Sequence, residues 1–172
     1  DNAGVESAKT AGEEAINAVT VATPAKQAAK DALDKAAETK KAEIASNSKL
    51  TAEEKAEETR KVEEALTSAK QEVEKATTNA AVASAKTAGK EAINAVTTET
   101  PAKQAAKEEL KQAAETKKQT ITADNTLTEE EKTAAKNAVD RELRTASDAV
   151  DAATDNAGVE SAKTAGEEAI NA

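Results

Sequence analysis

The amino-acid sequence predicts an all-α protein built of tandem three-helix bundles that stack end to end into an elongated rod. Three observations lead to this prediction. The 172 residues repeat with a period of 77, small and aliphatic residues recur at three- and four-residue steps, and the alternating apolar and polar runs of strands are absent. Ala, Lys, Glu and Thr dominate the chain, which favours helices over strands.

The internal repeat is the clearest of these signals. Residues 1–18 recur without change at 155–172, and residues 1–77 align with 78–154 without a gap, with 43 of the 77 positions identical. All large aliphatic residues but one are kept, while charged residues of the third segment drift. This pattern is expected when one face of a helix is packed and the other is solvated.

The first segment of each repeat carries one narrow apolar stripe at helical spacing. Its members are Val5, Ala8, Gly12, Ala15, Ile16 and Val19. A glycine inside a helix costs about 1 kcal/mol relative to alanine, yet glycine is kept at positions 12, 89 and 166. We therefore predict a close helix crossing at this position and consider a functional hinge the weaker interpretation.

The second segment begins at Thr23-Pro24, where threonine can cap a helix and proline suits its first position. It ends near residues 46–48. The apolar stripe of this segment is Ala25, Ala29, Leu33, Ala36, Ala37 and Ile44.

The third segment begins with a capping-box pattern, in which Thr51 is followed by Glu54, and the pattern recurs as Thr128 and Glu131. The apolar stripe of this segment is Val62, Leu66, Ala69, Val73 and Ala76. The three segments together predict three helices in each repeat.

The repeat can be divided into bundles in two ways. The residue before a proline disfavours the helical conformation, so the preferred division gives three-helix repeats at 24–96 and 101–172, with residues 1–20 as the last helix of a preceding repeat. The rival, spectrin-like division makes 1–77 one bundle, with a helix that runs through Asn79.

The composition excludes most chemistry. The chain has no His, Cys, Met or aromatic residue, so it lacks the usual nucleophile–base pairs and the imidazole or thiolate ligands of metal sites. We predict no enzyme activity, no catalytic residues, no cofactor and no metal. The net charge of −9 opposes binding to nucleic acid, and no apolar run is long enough to insert into a membrane. We expect a monomer whose partners are neighbouring repeats of the same chain.

Two acidic segments are candidate cation sites. The first comprises Glu53, Glu54, Glu57 and Glu58. We interpret it as a solvated helix face with ion pairs, such as the pair of Glu57 with Lys61, because the second repeat has alanine at two of the four positions. The second segment, Asp124-Asn125, lacks the ligand spacing of a calcium loop, and we interpret it as a turn.

Three motifs carry a resemblance to a known family. They are Ala8-Lys-Thr-Ala-Gly12 with Ala15-Ile-Asn17, Lys40-Lys-Ala-Glu-Ile44, and Leu50-Thr-Ala-Glu-Glu-Lys55. Their order and spacing resemble the repeats called domain of unknown function 1542, which occur in tandem in giant cell-wall-anchored surface proteins of Gram-positive bacteria. The resemblance implies an extracellular stalk that carries an adhesive domain outward, with signal and anchor outside the sequence given. It implies no site residues.

Three functions from different classes compete. The leading hypothesis is a structural spacer that projects an adhesive domain from the cell wall. The alternative is a helical binding module for a host serum or matrix protein, because Lys26, Gln27 and Lys30 recur unchanged at positions 103, 104 and 107. The third is a disordered, desiccation-type protectant, since Val, Ile and Leu together number only 21 of 172 residues.

Overall fold

The structure, a computed structural model, describes residues 2–19, 24–98 and 101–172. Regular structure within these ranges is entirely helical. The helices are α1 Asn2–Asn17, α2 Pro24–Ser46, α3 Ala52–Lys75, α4 Asn79–Asn94, α5 Ala102–Ala123, α6 Glu129–Ala152 and α7 Asn156–Asn171. The predicted all-α class is confirmed, and the predicted cap at Thr23 lies outside the described residues.

Helices α2, α3 and α4 pack against one another, and α5, α6 and α7 do the same. Each group encloses a core that alanines and a few large aliphatic side chains fill. Buried large side chains of the two cores occupy equivalent positions, namely Leu33, Val62, Val73 and Ile93 in the first and Leu110, Val139, Val150 and Ile170 in the second. The predicted repeat of three-helix bundles is confirmed.

Two of the three retained glycines, Gly89 and Gly166, lie at close helix crossings, whereas a Cβ on Gly12 would meet nothing within 4 Å. A Cβ added to Gly89 would lie 2.5 Å from the Cβ of Ala69 and 2.8 Å from Leu33 Cδ2. Gly166 meets Ala146 and Leu110 in the same way. Because a side chain at this position would push two helices apart, the crossing predicted from the retained glycine is confirmed.

One position of the predicted stripe is wrong. Ala92 and Ala169, the counterparts of Ala15, are exposed in the packed helices α4 and α7. Gly89 and Ile93 lie four residues apart on the buried seam, and the residue just before Ile93 is turned about 100° away from it.

The helix starts have the predicted caps. Thr51 Oγ1 accepts a hydrogen bond from Glu54 N, and Glu54 Oε2 accepts one from Thr51 N at 2.9 Å, which closes the capping box. Thr128 and Glu131 form the same box at the start of α6. These pairs satisfy first-turn amides that have no partner inside the helix.

The two bundles are joined end to end. We call the end of a bundle that holds the start of its second helix the upper end, and the opposite end the lower end. Ala52 N, at the upper end of the first bundle, donates a hydrogen bond of 2.9 Å to Thr154 O at the lower end of the second. The predicted stacking is thus mediated by direct contacts.

Helix α1 has the same sequence as α7 but a different environment. No residue of α1 is buried, and Val5 and Ile16 are 67% and 73% exposed. Their counterparts Val159 and Ile170 are 3% and 2% exposed, because α5 and α6 cover them. The same sixteen-residue sequence therefore forms an exposed helix as α1 and a helix packed into the bundle core as α7.

Hydrogen exchange should distinguish these two helices. Their intrinsic exchange rates are equal because their sequences are equal, and an isolated helix of this length is marginal in water. We expect amides in the middle of α7 to exchange at least about tenfold more slowly than the same amides in α1, measured by NMR. Helix α4 is the control and should behave as α7 does. Equal protection of α1 and α7 would contradict the difference in packing.

Candidate functional site

The lysines that recur in both repeats hold the bundles together. Lys103 Nζ, at the start of α5, donates to Asp151 O in the last turn of α6 at 2.8 Å. Lys26 makes the same contact with Glu74 O at the end of α3. These carbonyls have no partner within their own helices, and the negative end of the helix dipole attracts a cation there.

The second recurring lysine adds an ion pair at the same place. Lys107 Nζ lies 2.7 Å from Asp151 Oδ1, and Lys30 pairs with the carboxylate of Glu74. Both repeats therefore use two lysines of the first helix to fix the end of the second helix. The recurrence that suggested a binding face has an internal structural explanation.

The Lys30 ammonium, which donates a hydrogen bond and adds a nearby positive charge, lowers the pKa of the Glu74 carboxyl. A pKa that falls on folding contributes stability above the unfolded pKa, and this contribution is lost as the pH falls through the folded pKa. In an NMR titration, Glu74 should titrate below an unperturbed glutamate, and Lys30→Met should move it back up. An unchanged titration in the variant would contradict this pairing.

A second ion pair between the same two helices is also repeated. Lys41 Nζ lies 2.8 Å from Glu63 Oε1 in the first bundle, and Lys118 Nζ lies 2.6 Å from Asp140 Oδ1 in the second. The hydrogen bond to Asp140 raises the pKa of Lys118. Charges that face a neighbouring helix are thus kept as pairs. Glu63 is exposed, and the other three residues are half-buried.

The acidic cluster at the start of α3 separates into different roles. Glu57 pairs with Arg60 at 2.7 Å and with Lys61 at 3.7 Å, as expected for a solvated, ion-paired face. Glu58 is buried, with 4% exposure, so that interpretation is wrong for it. Glu53 and Glu54 contact the second bundle. The four carboxylates therefore do not converge on one point.

Asp124 forms a turn, as the sequence indicated. Its Oδ1 accepts hydrogen bonds from Thr126 N at 2.8 Å and from Thr126 Oγ1 at 2.6 Å, and these bonds lower the pKa of the carboxyl. In the first repeat, Asn47 Oδ1 accepts from Lys49 N in the same manner. The side chain is used to close the loop between two helices.

A groove with a volume of about 770 Å³ lies between α3 and α4. Ten of its twelve lining residues are Ala, Ser or Gly, and the other two are Glu72 and Lys75. Small side chains at a helix crossing leave such a groove because they do not fill the space outside the core. The groove contains no arrangement of convergent polar groups that would orient a ligand.

The junction between the bundles is the most elaborate polar site of the described chain. Thr51 Oγ1 donates to Asn156 Oδ1 at 2.7 Å, and Glu54 Oε1 accepts from Ala102 N at 2.7 Å. Glu53 Oε2 accepts from Asn156 N at 3.1 Å. The junction thus joins the capping box of α3 to the starts of α5 and α7.

A buried lysine completes the junction. Lys103 Nζ donates to Ser48 O at 3.0 Å in addition to its bond within the second bundle, and it is only 6% exposed. Thr51 is fully buried. Burying polar groups is costly unless they are hydrogen-bonded, and here each has partners on both sides of the junction.

The residues of this junction were not predicted from the sequence, although the chain contains a signal for them. Thr51, Glu53, Glu54 and Lys103 all have identical counterparts in the other repeat, while neighbouring charged residues change. Polar residues that persist where charges drift indicate a contact that recurs with the repeat. The sequence pattern by itself indicates helix caps for Thr51 and Glu54, a solvated face for Glu53, and a binding face for Lys103.

Comparisons with known proteins agree with the repeat structure. The family model described as Domain of Unknown Function (DUF1542) matches residues 25–101 and again residues 102–172. No curated protein and no solved structure matches the chain. In the described part of the chain, no acidic group of three or more is placed to hold a metal, and no helix has the length and hydropathy to span a bilayer.

Proposed function

The chain belongs to the DUF1542 family, and because two of its repeats are joined end to end by direct hydrogen bonds, we propose that it is a structural spacer. The junction is the observation that carries this proposal. Five hydrogen bonds connect the upper end of the first bundle with α5, α7 and the loop before α7. A junction of this kind favours a fixed axial arrangement over a flexible hinge.

The remaining surface supports a passive role. The recurring lysines are used within the bundles, the groove between α3 and α4 lacks orienting polar groups, and the composition lacks the His and Cys of the usual nucleophile–base pairs. We therefore propose that the chain has no catalysis of its own. Its units in this proposal are 24–96 and 101–172, and residues 1–20 act as the last helix of a preceding repeat.

The location of the spacer follows from the family resemblance. Repeats of this type occur in cell-wall-anchored surface proteins of Gram-positive bacteria, so we propose an extracellular stalk that holds an adhesive domain away from the wall. The monomeric state and the absence of nucleic-acid partners remain part of this proposal, and the net charge of −9 supports the latter.

Small-angle X-ray scattering tests the spacer. Helices of 24 residues are about 36 Å long, so two stacked bundles should extend about 70 Å, with a radius of gyration above about 20 Å. A globular chain of 172 residues would have a radius of gyration of about 16 Å. A value near the globular one, or bundles that pack side by side, would overturn the proposal.

Binding of a host serum or matrix protein stays a separate proposal. It can be tested with a variant in which Gln27 and Gln104, which project from exposed positions of α2 and α5, are both replaced by glutamate. Saturable binding that this variant loses would support a binding module. Binding that persists, or that is absent from the parent chain, would leave the spacer as the better account.

A further inference from the structure

The two upper ends of the chain share a leucine, a threonine and two glutamates at equivalent positions but have different surroundings. Leu50 and Thr51 are 5% and 0% exposed, and Thr51 contacts the second bundle. Their counterparts in the second repeat, Leu127 and Thr128, are half-buried and exposed. The buried threonine is the one that bonds to a neighbouring bundle.

The hydroxyl of the capping threonine also responds to the neighbour. Thr51 Oγ1 donates across the junction to Asn156, whereas Thr128 Oγ1 donates back to Glu131 Oε2 of its own capping box, at 3.0 Å. Glu54 uses one oxygen for its own box and the other for Ala102 N. At the covered upper end, the Thr51 hydroxyl and one Glu54 oxygen bond to the second bundle. At the uncovered upper end, the Thr128 hydroxyl bonds within its own capping box.

The lower ends have the complementary groups. In the second bundle these are Ala102, Lys103, Thr154 and Asn156, and the first bundle has Ala25, Lys26, Thr77 and Asn79 at the same positions. A lower end presents the starts of two helices, whose free amides and positive dipole ends favour carboxylates. An upper end presents the two carboxylates. Each repeat therefore contains both halves of the junction.

We propose that the upper end of the second bundle, formed by Leu127, Thr128, Glu130 and Glu131, is a docking surface for the lower end of another copy of this repeat. The proposal rests on the spacer function and names the partner of its exposed end. Its residues are identical to Leu50, Thr51, Glu53 and Glu54, and the last three of these make side-chain contacts across the existing junction. Contact with a further copy would bury Thr128 and let its hydroxyl donate across the interface, which is the arrangement that Thr51 has.

The test compares the chain with a form extended after Ala172 by a copy of residues 19–98. This extension continues the repeat in register, because 155–172 are identical to 1–18. The reporter is the amide of Glu129, which is the counterpart of the Ala52 amide that donates across the existing junction. In the unextended chain, we expect Ala52 N to exchange at least about tenfold more slowly than Glu129 N after correction for neighbouring side chains.

In the extended chain, the exchange of Glu129 N should slow by a similar factor. Thr128→Val should then speed it again in the extended chain and change it less than about twofold in the unextended one. Thr51→Val is the matched positive control, since it should speed exchange of Ala52 N in both forms. Far-ultraviolet circular dichroism checks that each variant keeps its helices.

A Glu129 amide that exchanges equally fast with and without the extension would overturn the docking surface. That failure differs from failure of the spacer. If the unextended chain scatters as an elongated particle but the Glu129 amide stays unprotected in the extended chain, only the docking-surface proposal fails. If the unextended chain scatters as a compact particle, the spacer proposal fails.

Discussion

Replacing Leu110 with alanine is expected to lower the free energy of unfolding of the second bundle by about 2–5 kcal/mol. Leu110 is fully buried, and its Cδ2 lies against the glycine of the opposing helix. The other buried residues of this core are three alanines and five β-branched residues, whose small or stiff side chains limit collapse into the cavity. Urea denaturation followed by circular dichroism measures the loss.

The control for this substitution is Leu127→Ala, which makes the same chemical change at the uncovered upper end. Leu127 is half-buried. The Leu127→Ala substitution should therefore lower the free energy of unfolding by less than half as much as Leu110→Ala, because less apolar area returns to water. Equal losses for the two variants would show that burial of Leu110 does not control the stability of the bundle.

Replacing Gly166 with alanine is also expected to destabilise the protein, although alanine is the better helix former. A Cβ on Gly166 would clash with the Cβ of Ala146 and would lie 2.8 Å from Leu110 Cδ2. The Ala146 Cβ cannot rotate away, so α6 and α7 must separate. Overpacking costs about 1–3 kcal/mol, which should exceed the gain of about 1 kcal/mol in helix propensity.

Gly12→Ala is the matched control, because α1 has the same sequence as α7 and a Cβ on Gly12 would meet nothing within 4 Å. This variant should raise the helix content of α1 or leave it unchanged, without loss of stability. The two variants are compared by thermal unfolding. A rise in midpoint for both substitutions would contradict a close crossing at Gly166.

The helices and their ends could be predicted because the interactions that produce them are local. The stripe at three- and four-residue steps marks a helix face, and the capping box at Thr51 spans three residues. The close crossing at Gly89 was also predictable, since a retained glycine in a helix needs a packing reason. Each inference needed residues only a few positions apart, or one comparison between repeats.

The candidate sites were less predictable because their roles depend on distant residues. Lys26 appeared to be a surface residue available for binding, and the structure places its ammonium on a carbonyl 48 positions away. Glu58 appeared to belong to a solvated face and is buried. A single helix pattern does not reveal which residues of the outer face meet another helix or another bundle.

The sequence by itself determined the all-α class, the 77-residue repeat, the helix caps and the identity of the core residues. The tertiary structure decided which copies of these residues are buried and which are exposed. Val5 and Val159 lie in identical helices, yet only Val159 is buried, and the same holds for Thr128 and Thr51. The physical reason is that capping and helix propensity act within one segment, whereas burial requires a neighbour, and neighbours differ between identical segments.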